Sequence, residues 1–367
     1  MSIKQEQEEA RTEVEEIAPN VLRMQLPIAI PGLRHVNMYC FRDADGATVV
    51  DPGLPDEATW VAIRERLRQA DLEVRHVHTV LITHSHPDHF GGAARFRAEA
   101  GSRIVVHEAF SLFGERPELA EPEVSVEDMQ RPAAPGSRVT ADCQLANAAS
   151  LGAQASALAG FRIPWGGAPP DSRDRDHRHW ERIRASAPSG MSPPITHTAK
   201  HGSRLRLGGC TFEVVHTPGH TADHMCLFDR ETGTLLAGDH ILPSITPHIS
   251  GLGRAADPLQ AFYDSLDRVL ELGNITRCLP AHGHPFDDVQ GRIAAIKRHH
   301  HERLARLVAI AARLGPATVP QFSQELFAPA AWGIMAESET YAHLEHLKLH
   351  GQAESHTGAD GLLVYVA

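Results

Sequence analysis

The chain has 367 residues, 42% hydrophobic and 22% charged, enough apolar material for one large domain or a main domain with an appendage. Its 46 acidic against 35 basic residues leave a net charge of −11 with histidine neutral, which argues against gripping nucleic acid, since phosphate contacts need Lys and Arg. Five scattered cysteines without a C-x-x-C spacing argue against a disulfide framework or a cysteine zinc knuckle, whereas 25 histidines point to metal chemistry or proton transfer.

The opening MSIKQEQEEARTEVEEIAP is acidic and has no apolar h-region, so it does not read as a signal peptide, and residues 1–18 are expected to be a solvated leader. No stretch approaches the apolar length of a membrane span, and a reduced, cytoplasmic setting is the expectation. Strand-like runs follow at VLRMQL (21–26), VNMYCF (36–41) and ATVV (47–50), the last stopped by the turn DPGLPD. In DEATWVAIRERLRQA, Trp60, Ile63 and Leu67 recur at helical spacing with Asp56 placed as the cap. VHTVLI (77–82) reads as a buried strand, and THSHPDHFGG follows it directly, with three histidines and an aspartate between His84 and His89. FGGAARFRAEAG reads as a helix and RIVVHE as the next strand, an α/β alternation.

From about residue 111 to 203 the periodicity dissolves into a stretch rich in Ala, Pro, Gly and Ser. A connection this long reads as a functional lid or a disordered insert, and as a lid it would fold Phe113, Phe161, Trp165 and Trp180 over the ligand loops. Strand patterns resume at FEVVHTPGH (212–220), HMCLFD (224–229) and GTLLAGDH (233–240). A helix at 257–273 then leads to TRCLPAHGH (276–284). The reading is a main α/β unit over 19–286 with the insertion at about 111–203. Residues 287–367 read as a C-terminal unit of helices and a terminal hairpin, winged-helix-like in order.

Three further polar residues sit at strand ends beside turn-forming residues: His220 in HTPGHT, Asp239 in LLAGDH and His282 in LPAHGH. With His84, His86, Asp88 and His89 they make a mixed imidazole and carboxylate set, which suits a borderline ion such as zinc. HSHPDH resembles the H-x-H-x-D-H signature of the metallo-β-lactamase superfamily, and TPGHT, AGD and AHG resemble its later ligand motifs in order. DPG at 51–53 resembles its early Asp-Gly turn. The resemblance covers about residues 20–285 apart from the insertion, and four motifs in register make it specific. It implies an α/β fold, the αββα sandwich, with a hydrolytic centre between the loops of its two halves.

Carried over residue by residue, the resemblance assigns His84, His86 and His220 to one ion. It assigns Asp88, His89 and His282 to a second, with Asp239 bridging. The full set is similar to that of glyoxalase II and the lactonases. β-Lactamases themselves place a cysteine at one of these points, where this chain has Asp239. The implied cofactors are two divalent ions, zinc first, with iron and manganese also acceptable to such ligands. The implied enzyme opens an ester, thioester or lactone carbonyl with a metal-bound hydroxide, Asp88 being the catalytic carboxylate that orients it or takes its proton. Asp51 reads as a support for a ligand rather than a ligand.

Weaker signals surround this set. His240 and His248 follow the bridging aspartate and are candidates to line a substrate pocket. His107 reads as a strand-end surface histidine, His216 and His224 as packing residues, RHHHER (298–303) as a solvated helix face, and Asn37 and Tyr39 as structural. The C-terminal unit resembles the appendage of LACTB-like endoribonucleases. From 301 to 367 it has four basic against seven acidic residues, poor for nucleic acid, so packing or homodimerisation is its expected role. The expected partner is a small acyl substrate. The rival readings are a nuclease of the same fold, a binding or regulatory protein without useful turnover, and a one-iron oxidoreductase similar to persulfide dioxygenases. All seven ligands are present, which disfavours the last two.

Overall fold

A computed structural model describes residues 3–112, 163–167, 185, 192–253 and 255–367. Among the described residues the first sheet has seven strands in sequence order: β1 (Glu15–Ala18), β2 (Val21–Ile30), β3 (Leu33–Asp43), β4 (Gly46–Val50), β5 (Val77–Leu81), β6 (Arg103–His107) and β7 (His197–Ala199). From β4 to β7 the strands run parallel. The second sheet holds β8 (Arg204–Leu207), β9 (Cys210–His216), β10 (Met225–Asp229), β11 (Thr234–Gly238) and β12 (Arg277–Pro280), and β11 and β12 also pair in parallel.

The parallel strands are apolar on both sides because both sides are covered. Tyr39, Phe41, Val50, Leu81 and Val105 meet Phe212, Val214, Leu227, Leu236 and Leu279 between the sheets. On the outer face of the first sheet lie α1 (Glu57–Gln69), the short α2 (Pro87–Phe90) and α3 (Ala93–Ala100). α1 starts where expected, with the Asp56 carboxylate accepting from Thr59 N–H at 2.8 Å, and buries Trp60, Ile63 and Leu67. Against the second sheet lie α4 (Pro258–Glu271), through Leu259, Phe262 and Leu266, and the long α5 (Val289–Leu314), through Ile293 and Ile296. This is the expected αββα sandwich.

The distal part of α5 continues into the C-terminal unit with β13 (Ala317–Thr318), α6 (Val319–Leu326), α7 (Ile334–Leu349) and the hairpin β14 (Glu354–Thr357) and β15 (Leu363–Val366). Three helices and a three-stranded sheet, ordered β13-β15-β14, enclose Leu307, Phe322, Leu344 and Tyr365. The unit also packs on the sandwich, since Ala342 of α7 joins the core of α4 and α5.

Three expectations need correction. The leader is largely exposed, as expected, but it is also docked: β1 pairs with β2, and the fully buried Glu6 carboxylate accepts from the backbone N–H groups of Ser244 (2.8 Å) and Ile245 (3.1 Å) and from the Ser244 hydroxyl. Those donors offset the cost of burying its charge. The insertion ends earlier than 203, because His197–Ala199 is a strand of the first sheet. Trp165 does not roof the ligand loops. Its ring is buried among Leu307, Phe322 and Tyr365, and its indole N–H donates to Glu337 at 3.1 Å. A large amphipathic ring finds more apolar contact in that core than over a polar cleft. Phe113, Phe161 and Trp180, and with them most of the expected lid, lie outside the described residues. Among the described residues no helix is long and apolar enough to cross a membrane.

Candidate metal centre

All seven expected ligands converge at the carboxyl ends of the strands. His84, His86, Asp88 and His89 lie just past β5, His220 between β9 and β10, Asp239 directly after β11 and His282 directly after β12. Two clusters result, His84, His86, His220 and Asp239, and beside it Asp88, His89 and His282. Gly238 shows why AGD needs its glycine: φ is +50°, and a Cβ there would lie 2.6 Å from the His224 ring.

Hydrogen bonds on the far sides of the rings fix the direction of the lone pairs. His220 Nδ1–H donates to the His248 carbonyl at 2.7 Å, and His282 Nδ1–H to the His35 carbonyl at 2.6 Å. His89 Nδ1–H donates to Asp51 at 2.9 Å. The Thr83 hydroxyl spends its proton on Asp51 (2.8 Å) and so accepts from His84 Nδ1–H at 3.0 Å. Four rings are thereby held as Nδ1–H tautomers with Nε2 inward, as outer partners of metal ligands do. Asp51 holds the ring of the candidate ligand His89 and has a φ of 56°, uncommon outside glycine.

The inward atoms crowd one another. His86 Nδ1 lies 3.0 Å from His84 Nε2 and 3.1 Å from His220 Nε2. Asp239 Oδ2 is 3.6 Å from both His89 Nε2 and His220 Nε2, and Asp239 Oδ1 is 3.3 Å from His282 Nε2. Asp88 Oδ2 lies 3.5 Å from the Nε2 of both His89 and His282. Ligands of a tetrahedral ion with bonds near 2.05 Å stand about 3.3 Å apart, so the spacing matches a cation in each cluster. His89 Nε2, His282 Nε2 and Asp239 Oδ1 are buried without a hydrogen-bond partner, which is costly unless a positive ion satisfies them. The residues present fit divalent ions, and Asp239 alone faces both clusters.

Electrostatics agree. Burial, then the neighbouring imidazoles, push His84 and His86 well below the usual histidine range, so both are neutral and free to coordinate. At His89, burial disfavours charge, but the carboxylates of Asp88, Asp239 and Asp51 outweigh it and raise the pKa. The same carboxylates that would hold a proton there would hold a metal ion.

Residues outside the motifs build the second layer of support. Asn37 Nδ2 donates to the carbonyls of Pro280 and Gly283, both at 2.9 Å, and the Tyr39 hydroxyl donates to Pro280 at 2.8 Å. These residues are structural, as expected, but what they hold is the turn that carries His282. His224 is buried and its Nε2 accepts from the Asp239 backbone N–H at 3.0 Å.

Four of the weaker signals end differently from expectation or stand at the rim. His240 is fully buried, its ring 5.0 Å from Phe262. The chain turns back after Asp239, with His240 N–H bonding the Ala237 carbonyl at 2.9 Å, so His240 packs behind the centre instead of lining a pocket. His107 is buried rather than a surface residue, stacked on His216 at 4.0 Å. In RHHHER, His300 faces inward and bonds His343 at 3.0 Å. His248 stands at the rim, partly exposed, with Nδ1 3.4 Å from the Glu339 carboxylate of α7. Burial would raise the Glu339 carboxyl, but the hydrogen bond to His248 and the Arg303 charge outweigh it and keep it ionised. Sequence reading missed Glu339, which lies far along the chain from its partner and carries no motif.

Comparison with known proteins gives the family. The chain is 32% identical over 109 residues to the lactamase-like protein aptB of Emericella nidulans, which covers 30% of this chain and 33% of that one. It is 27% identical over 138 residues to a beta-lactamase-like protein 2 homolog of Caenorhabditis elegans, 38% of this chain and 44% of that one. These matches span under half of the relatives' own length. Two solved structures match nearly end to end at a TM-score of 0.70. A metallo-beta-lactamase family protein from Thermus thermophilus is 27% identical, with 96% of this chain and 99% of that chain covered. A beta-lactamase domain protein from Burkholderia ambifaria is 25% identical, with 98% and 96% covered. The sequence model of the metallo-beta-lactamase superfamily matches residues 31–282, from the turn before β3 to His282, and the chain belongs to that superfamily of hydrolases.

Proposed function

We propose that this hydrolase cleaves an activated acyl bond, an ester, thioester or lactone, at a two-ion centre with zinc as the natural occupant and iron or manganese as alternatives. The observation that carries this reading is the position of Asp239 between the clusters, with Oδ2 3.6 Å from both His220 and His89 and Oδ1 3.3 Å from His282. Ions bound there would supply water activated near neutral pH and polarise the attacked carbonyl. The chain's own residues do the rest. The Nδ1–H bonds of His84, His89, His220 and His282 hold the ligand rings in place before substrate arrives. The Asp88 carboxylate, beside His89 and His282, is placed to orient the attacking water or take its proton. His248, held by Glu339 at the rim, is the substrate-contacting residue in this reading.

An acyl substrate fits better than a phosphodiester because a polyanion needs free cations. The chain carries −11 overall, and Arg303, behind the rim, is committed to Glu339. The substrate is thus a small acyl compound and the protein does not handle nucleic acid. A cytoplasmic setting is supported by Cys40, Cys210, Cys226 and Cys278, all free thiols. The test is a screen of metal-replete protein against acyl esters, thioesters, lactones, β-lactams and single-stranded RNA, with and without chelator. Chelator-sensitive turnover of at least one ester, thioester or lactone is expected. Efficient RNA cleavage with every acyl substrate untouched would refute the reading.

A further inference from the structure

A second group of ligand-type side chains lies outside the centre, where the C-terminal unit meets the sandwich. Asp257 caps α4, its Oδ1 accepting from Gln260 N–H at 2.9 Å. Two histidines on the last turn of α7 and just past it, His346 and His350, meet that carboxylate. His346 Nδ1 lies 3.0 Å and His350 Nε2 3.4 Å from Asp257 Oδ2. The two rings lie 4.3 Å apart, as the i, i+4 spacing on one helix face requires.

We propose that Asp257, His346 and His350 form a further divalent transition-metal site, a two-histidine, one-carboxylate set that joins α4 to α7. Three observations carry it. The candidate ligand atoms lie within 4.8 Å of one another, and the carboxylate-to-imidazole distances are those around a zinc-sized ion. The helix cap fixes the carboxylate, and packing fixes the helices, so the ligands are placed in advance: Asp257 and His346 side chains are only 15% and 11% exposed. His350 is 48% exposed, which leaves the outer side open for water as a remaining ligand. The contacts of His346 Nδ1 with Asp257 Oδ1 (3.1 Å) and Oδ2 (3.0 Å) account for one imidazole. The second, His350, converges on the same Oδ2 at 3.4 Å, where a divalent ion would engage both rings and the carboxylate together.

The location gives the site a consequence. Glu339, which holds His248 at the rim of the catalytic centre, lies two helical turns before His346 on α7. The α7 Ser338 hydroxyl also accepts from Gly251 N–H at 3.0 Å, next to the His248 loop. A metal at the end of α7 would fix the helix whose middle shapes that rim.

The test loads full-length protein with Zn2+, removes loosely held ions on a desalting column and counts zinc per chain. His350→Ala and Asp257→Asn are measured beside the natural chain; the asparagine keeps a helix cap if alanine at 350 disturbs packing. Each variant should carry one ion fewer than the natural chain, and the zinc-dependent rise in Tm should shrink by about 2 °C. The difference is taken between chains that share the catalytic centre, so it does not depend on how many ions that centre holds. Equal zinc content and equal Tm shifts in all three proteins would overturn the site.

Discussion

Asp239→Ala should lower zinc at the catalytic centre toward zero and reduce kcat/KM for the acyl substrate by at least about a thousandfold, roughly 4 kcal/mol of barrier. The size follows from the carboxylate's position between the clusters: Oδ2 faces His89 and His220, and Oδ1 faces His282. Alanine would leave the inward-pointing imidazoles without the negative charge that balances a pair of cations. The backbone N–H of residue 239 would still bond His224, so circular dichroism should show a folded chain. Metal analysis and kinetics on one preparation make the check. A variant that retained both ions would remove Asp239 from the bridging role.

Asp88→Ala should act on one cluster only. Its Oδ2 lies 3.5 Å from both His89 Nε2 and His282 Nε2. About one ion per chain should be lost, with a fall in kcat of roughly 10²- to 10³-fold, in the range expected when a group handling a proton in the transition state is removed. The paired comparison decides more than either variant alone: the loss at Asp239 should be larger than the loss at Asp88 in both ion count and rate. Equal losses would mean that the two clusters behave as one site.

Much of the centre was legible in the sequence because its ligands come from loops that follow recognisable strands. VHTVLI, FEVVHTPGH, GTLLAGDH and TRCLPAHGH each carry a buried apolar run that ends in a turn, and the ends of parallel or neighbouring strands share one edge of a sandwich. The support around the ligands was less legible for a physical reason. Glu6 bonds backbone N–H groups at Ser244 and Ile245, far away along the chain, and backbone donors leave no trace in residue type. Trp165 sat in a stretch of small residues between two ligand motifs, where a lid was the natural expectation, but its partners are Leu307 and Tyr365 of the C-terminal unit. His240 and His300 illustrate the same limit, since a polar residue in a loop or on a helix gives no sign of which way its ring turns. Glu339 is the costliest omission: on α7 it reads as one acidic residue among several, yet it places His248 beside the catalytic loops.

On the proposed reading, two ions held by the seven residues are needed for acyl hydrolysis. Its most direct test titrates metal-free His350→Ala protein with Zn2+ and follows bound zinc and acyl hydrolysis on the same samples. Activity should rise to a plateau at two ions per chain, one for each cluster, and chelator should return it to zero. A single ion per chain at saturation, or full activity in protein shown to be free of metal, would contradict the account.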